Sequence, residues 1–424
     1  MSVKQEIPEL PFVHKAAIAV LSVLLFFGAA EFLCRLFYHP ADNLSLITGV
    51  LERDSSLIWK NRPGLDGDFQ GVPVKTDSFG FRVARAGASA PGFRRIVCMG
   101  ASPDFGWGVQ AEEVYSSRLE KLLAASGLNY EVINAGMIGH SSAQGLALFQ
   151  KKIAGMKPDI VTIPYAVNDV DRHRFFRDSP LPDNELKPQG RIGTALLNIS
   201  DRSRFITWYR SVLIAGMSRL PAPVVRYQRH VRVPPGYYEA NLRALAAAVK
   251  AAGAAPVFIV MPVRAPSLSP SLIKDAPLSD RLAEEGFLAL EKSDMAGAGE
   301  LLASSVASNP YNPAAYFYLA QLARRKGDRD GASAYGKKML EAELYACSRE
   351  SAEYNRVMRS LGKELGIPVV DVAILFSNVG PAPDPRYYVN PLQDFVHPNA
   401  SGHSLIAGAL YNIIIRMGGA ASGK

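Results

Sequence analysis

Two short stretches nearly three hundred residues apart carry the chemistry of this chain: Gly100-Ala101-Ser102, closing the apolar run Ile96 to Met99, and Asp394-Phe395-Val396-His397, just ahead of the last apolar-periodic segment. Between them they hold a nucleophile, a base and a carboxylate. The run Ile96 to Met99 reads as a buried strand, so Ser102 falls at the strand end, the edge where open α/β sheets keep their ligands. Asp394 and His397 are three residues apart, a spacing that lets the carboxylate take one imidazole nitrogen while the other faces a hydroxyl. That pairing is what a serine needs to become a nucleophile. Taken singly, each residue also has an ordinary role: a serine after a strand caps a turn, and an aspartate does the same.

Two further blocks lie between them. Asn134-Ala135-Gly136-Met137-Ile138-Gly139-His140-Ser141 follows the strand-like Tyr130 to Ile133, and Val167-Asn168-Asp169 follows the strand-like Asp159 to Tyr165. Strand ends in a parallel sheet converge on one rim, so the Gly139 N–H and the Asn168 amide can face one oxygen beside Ser102, as an oxyanion hole requires. A loop glycine with positive φ and an Asx turn are the plain alternatives for these two positions.

With the four blocks in this order the chain resembles the SGNH, or GDSL, hydrolase superfamily, whose blocks are Gly-Asp-Ser, a loop glycine, Gly-x-Asn-Asp and Asp-x-x-His. Here they read Gly100-Ala101-Ser102, Gly139, Ala166-Val167-Asn168-Asp169 and Asp394-Phe395-Val396-His397. Phe105-Gly106-Trp107-Gly108 and Pro398-Asn399-Ala400-Ser401-Gly402-His403 extend the likeness. Carried over position by position, the resemblance implies Ser102 as nucleophile and first oxyanion N–H, Gly139 as the second donor, Asn168 as the third, His397 as base and Asp394 as its orienting partner. It implies no metal and no organic cofactor. Two positions depart from the pattern: Ala101 stands where the family has Asp, and Ala166 where it has Gly. Ala101 removes a carboxylate that would hold neighbouring loops. A nucleophile elbow is excluded, because Gly-x-Ser-x-Gly would need a second glycine where Asp104 stands.

The elements that must position these residues follow from the rest of the chain. At 424 residues and 48% apolar content it accommodates one α/β domain of about 200 residues with additions. Three cysteines cannot build a disulfide framework, and Cys98 sits in the apolar strand as core packing. Beyond the strands already named, Tyr237 to Ala252 and Ser351 to Leu365 read as helices and Pro256 to Met261 and Pro368 to Val372 as strands. This alternation calls for a parallel sheet covered on both faces. The resemblance implies a flavodoxin-like three-layer α/β fold of about five strands.

The N-terminus sets the expected location. Ala16 to Cys34 is almost wholly apolar, interrupted by Ser22 and Glu31, close to the roughly 20 residues that span a bilayer. The expectation is one transmembrane helix within residues 1–37, cytoplasmic tail first, and an extracytoplasmic (periplasmic) catalytic domain. A cleaved signal peptide is the competing reading, since Gly28-Ala29-Ala30 offers small residues, but the bulky sequence after it suits an uncleaved anchor. Lys4 and Lys15 before the span against Glu6, Glu9 and a following Arg35 leave only a small positive-inside bias. Residues 38–93 form a lead-in whose glycines, prolines and short alternating runs suggest small hairpins; Arg82 within it reads as structural or as a reach toward an anion.

The catalytic core is expected over 94–266 and 347–424, with two insertions. The first, 170–235, holds 12 Lys and Arg against 5 acids, nearly the whole net charge of +8. Within it Arg204 to Leu220 is a basic amphipathic pattern, with Phe205, Trp208, Tyr209, Val212, Leu213 and Met217 on one side; it can rest on lipid headgroups, line a cleft for an acidic glycan or pack on the domain. The basic residues come without a nucleic-acid reading module, so no nucleic-acid partner is expected. The second insertion, 267–346, repeats with the 34-residue tetratricopeptide (TPR) period, Gly286 matching Ala320 and Ala298 matching Ala332. Two units are too few to stand alone, and they serve either as a docking surface for a protein partner or as a lid.

Together with the resemblance to a family whose anchored members commonly work on envelope polysaccharides, these features lead to the expectation of an anchored serine esterase acting on O-acyl groups, acetyl above all, of a cell-surface or exported polysaccharide. An O-acyltransferase with the same residues is the enzyme alternative. A polysaccharide-assembly scaffold with a vestigial Gly-Ala-Ser site is the non-enzyme alternative.

Overall fold

The computed structural model describes residues 11–38, 49–84, 92–176, 179–217, 223–263, 270–377, 384–390, 394 and 396–421. Lys4, Glu6, Glu9 and Phe395 of the sequence reading, and most of the stretch 38–48, lie outside these residues. The chain forms two compact units, 1–49 with 190–221, and 50–189 with 222–424.

The first unit is helical. Phe12–Phe37 is one 26-residue helix with an apolar window of mean hydropathy 2.3, long and apolar enough to cross a membrane. Two helices of the basic insertion accompany it, Arg191–Arg202 and Arg204–Met217.

The second unit opens with two antiparallel hairpins, β1 (Leu51–Asp54) with β2 (Ile58–Asn61) and β3 (Asp66–Phe69) with β4 (Val72–Lys75). The core is a parallel sheet of β5 (Arg94–Gly100), β6 (Tyr130–Gly136), β7 (Ile160–Ile163), β8 (Ala255–Val260) and β9 (Val369–Asp371), in the order β6-β5-β7-β8-β9. This is the expected flavodoxin-like order, with the chain reversing its direction of winding at β5. Burial on both faces explains the apolar runs 96–99 in β5 and 257–260 in β8, and the run of β7, interrupted only by the buried Thr162. Their residues alternate between two cores: Val97, Met99, Val161, Ile163, Phe258 and Val260 on one face, Ile96, Cys98, Ile160, Val257 and Ile259 on the other. Leu242, Leu245 and Val249 of the helix Pro235–Ala251 cover the first face together with Tyr354, Met358 and Leu361. Leu119 and Leu123 of the helix Tyr115–Ala125 cover the second, with Ile406, Leu410 and Ile414 of the last helix, Ala400–Ala421. Each such side chain contributes about 1.5–3 kcal/mol on burial.

The second insertion is a run of antiparallel helices, Ala276–Glu291, Met295–Ser308, Pro313–Arg325 and Arg329–Leu365. Asp275, Asp294, Asn312 and Asp328 cap their N-termini by accepting hydrogen bonds from backbone N–H groups. Gly286, Ala298, Ala320 and Ala332 are buried, and a Cβ on Gly286 would stand 2.7 Å from Leu302 of the next helix. One expectation changes here. The sequence reading starts a separate helix near Ser351, whereas a single 37-residue helix runs from Arg329 to Leu365, because no glycine or proline interrupts 337–361. Its first half packs in the insertion and its second half on the sheet.

Candidate active site

Ser102 starts the four-residue turn Ser102–Phe105, two residues past the end of β5, with Pro103 in the first turn. It is 8% exposed. Its Oγ lies 2.9 Å from His397 Nε2, and His397 Nδ1 lies 3.0 and 3.1 Å from the two Asp394 oxygens. Asp394 Oδ1 also accepts the N–H groups of Val396 and His397. Burial raises the Asp394 carboxyl, but the bonds and charge of His397 and these two amides outweigh it and hold the group below its usual range. An ionised Asp394 fixes Nδ1 as the protonated nitrogen and leaves Nε2 to accept the serine proton.

The imidazole is held from a second direction. Trp107 stacks on His397 with centroids 4.8 Å apart and planes at 14°, and Phe69 of the β3–β4 hairpin meets Trp107 edge-on at 4.7 Å. In the sequence Trp107 belongs to the Phe105-Gly106-Trp107-Gly108 stretch and has no role of its own. Its nearness to the serine was the available signal.

Under the serine turn stands a carboxylate. Asp104 accepts from the Ala101 N–H at 2.9 Å and from the Tyr115 hydroxyl at 3.0 Å, and burial pushes it up to about 7. A buried acid therefore supports this loop even though Ala101 carries none. The space is taken so fully that a Cβ on Gly100 would stand 2.0 Å from Asp104 Oδ2, which requires glycine there. Arg82 is buried and donates to the carbonyls of Phe105, Gly106 and Val109. Of its two readings the structural one holds: it pins the loop after Ser102.

Gly139 and Asn168 follow the ends of the strands flanking β5, Gly136 pairing with Gly100 in register. Gly139 has φ 76°, open to glycine at little cost, and its carbonyl accepts from Arg232 at 2.8 Å. Asn168 donates one amide hydrogen to the His140 carbonyl at 3.0 Å, which leaves its second hydrogen available. Asp169 next to it accepts from the Ser142 N–H at 2.9 Å, so the second and third blocks are tied to one another. Burial pushes the Asp169 carboxyl up to about 7.

The lead-in hairpin grips the same loop. Trp59 Nε1 donates to the Ile138 carbonyl, His140 Nε2 donates to the Trp59 carbonyl, and Asn61 accepts from the Ile138 N–H while donating to Gly136. Burial drives His140 down to about 4, so it is a neutral donor at ordinary pH. Arg232, the fully buried arginine of the basic insertion, completes the support: besides Gly139 it pairs with Asp183 at 2.9 Å, which also bonds Ser141 and Arg174. No sequence signal separated Arg232 from its exposed neighbours.

A family model described as GDSL-like Lipase/Acylhydrolase matches residues 76–410, well over half of the chain. No curated protein matches. Among solved structures the chain is similar to a GDSL-like lipase from Bacteroides thetaiotaomicron (13% identity, 78% of this chain and 93% of that one, TM-score 0.36). It is also similar to a lipase/acylhydrolase from Enterococcus faecalis (15%, 76% and 95%, TM-score 0.38). A third is a catalytic mutant of an acetylxylan esterase from Geobacillus stearothermophilus (14%, 75% and 93%, TM-score 0.35). With four motif blocks on one sheet edge and a family match spanning them all, the chain belongs to the GDSL (SGNH) family of serine ester hydrolases.

Proposed function

We propose that the protein is a membrane-anchored esterase that removes O-acyl groups, acetyl above all, from a cell-surface or exported polysaccharide, with Ser102, His397 and Asp394 as its triad. The observation that carries the triad is the 2.9 Å approach of Ser102 Oγ to His397 Nε2, with Asp394 on the opposite nitrogen. Ser102 attacks the ester carbonyl carbon and passes its proton to His397. The N–H groups of Ser102 and Gly139 and the free hydrogen of Asn168 stabilise the oxyanion. Collapse breaks the ester C–O bond, His397 returns the proton to the departing sugar hydroxyl, and water deacylates Ser102 by the same route. Hydrolysis is preferred over transfer because water needs no dedicated acceptor site.

The helix Phe12–Phe37, long and apolar enough to cross a membrane, supports the membrane location; in this reading the catalytic part lies outside the cytoplasm, where it meets the glycan. The repeat helices over 276–345 offer a TPR-like surface for a protein partner. Acetate release from an acetylated polysaccharide by the full-length protein tests this reading. Release by wild type and not by Ser102→Ala supports it; loss of acyl groups only when a second glycan is present, with the acyl group recovered on that glycan rather than as acetate, makes the enzyme a transferase, and equal release by both proteins overturns the triad.

A further inference from the structure

The helix Arg191–Arg202 presents its faces in the reverse of the usual order. Ile192, Leu196 and Ile199 share one stripe and are 78%, 62% and 65% exposed, whereas Thr194 on the opposite face is buried. In a water-soluble unit the apolar stripe would be the covered one. The next helix, Arg204–Met217, repeats the pattern with Trp208, Tyr209, Val212 and Leu213 exposed.

Both helices are fastened to the apolar N-terminal helix at a definite height. Glu31, near the C-terminal end of that helix, accepts from the Ser203 hydroxyl at 2.7 Å and from the N–H groups of Arg204 and Phe205 at 3.1 and 3.0 Å, so it caps the second helix. One turn deeper, Phe205 meets Phe26 and Phe27 edge-on at 6.5 and 5.8 Å. Arg210 ties the two short helices together through Asp201 and Ser200. Glu31 lies three residues inside the end of the apolar stretch at Cys34, about 4.5 Å along the axis. If that stretch fills the hydrocarbon core, the cap stands at its boundary with the headgroups. The pair carries Arg191, Arg202, Arg204 and Arg210 against a single acid, Asp201.

We propose that Arg191–Arg202 and Arg204–Met217 form an interfacial element on an anionic phospholipid surface, the exposed apolar stripes entering the acyl-chain boundary and the arginines meeting lipid phosphates. Continuity with the spanning helix, the exposed aromatic residues Trp208 and Tyr209 and charge complementarity all favour lipid over a second protein as the occupant. The consequence is an anchor of three helices, which fixes the orientation of the span as well as its attachment. The inference rests on reading Phe12–Phe37 as a membrane span.

The test uses the full-length protein in phosphatidylglycerol-containing vesicles whose acyl chains are brominated near the headgroup. Trp208 emission should be quenched, the quenched part should vanish in Trp208→Phe, and a tryptophan introduced by Leu196→Trp into Trp208→Phe should be blue-shifted and quenched in turn. Leu196 is exposed, so this change leaves the packing alone. Unquenched emission from both positions, in protein that resists alkaline extraction, overturns the interfacial element while the span stands. Release by alkaline extraction overturns the span and the inference with it. Shielding of both positions by a second copy, seen as cross-linked dimer without quenching, also overturns it.

Discussion

Asp104 gives the sharpest test of how the altered serine block is held. Its carboxyl is fully buried beneath Ser102 and is pushed from 3.8 up to about 7 by loss of hydration, which its bonds from Ala101 and Tyr115 only partly offset. The unfolded chain releases this proton near pH 4, and the folded chain keeps it until about pH 7. Between those values the native state binds more protons at this group, so the contribution of Asp104 to stability is greatest below pH 4, falls as pH rises, and levels off above 7. A shift of about three units corresponds to roughly 4 kcal/mol, an upper figure because a buried loop relaxes around a new charge. Asp104→Asn keeps the shape and the acceptor oxygen but cannot ionise. Its stability relative to wild type should therefore climb by a few kcal/mol between pH 4 and pH 8, with the contribution of Asp169 common to both proteins and cancelling. Thermal and denaturant unfolding of the two proteins in detergent, at one-unit pH steps, measures it. A difference that stays constant across that range would refute the buried-acid account of the serine turn.

Three further outcomes are expected. Asn168→Ala should lower kcat by about a hundredfold to a thousandfold with little change in KM, the signature of a donor used in the transition state, read from steady-state ester hydrolysis. Trp107→Leu removes the ring that lies on His397 and should cost about 1 kcal/mol, roughly fivefold in kcat, while the thermal midpoint moves little. Gly286→Ala places a methyl 2.7 Å from Leu302 and should destabilise the repeat helices by about 1–3 kcal/mol without altering ester turnover at low temperature, checked by circular dichroism melting beside the activity assay.

The sheet was legible because a strand buried on both faces has no reason to alternate, so β5, β7 and β8 appear as short apolar runs between turn residues. β6 runs three residues past its expected end because Asn134, polar in sequence, stays in the strand and uses its side chain to hold the Asp104 carbonyl. The four site blocks were visible for a different reason: the residues proposed as nucleophile, base and donors are picked out by residue type and chain order, both of which can be read directly along the chain. Their supports are a matter of what packs against what. Arg232 meets Gly139 across 93 positions and Trp107 meets His397 across some 290, and neither carries a motif of its own. The same holds for the lead-in, whose hairpins were expected but whose hold on the Gly139 loop through Trp59 and Asn61 was not. The basic helices show the opposite case. Their amphipathic pattern was plain, and only the structure shows the apolar sides of the described residues facing out.

The most direct measurement of the central claim is covalent labelling of the full-length protein with a fluorophosphonate, followed by mass-spectrometric mapping of the modified residue. The geometry at Ser102 and His397 predicts one adduct, on Ser102, with labelling abolished in Ser102→Ala and slowed by orders of magnitude in His397→Ala. Absence of label from folded wild type, or an adduct on another serine that survives Ser102→Ala, would contradict it.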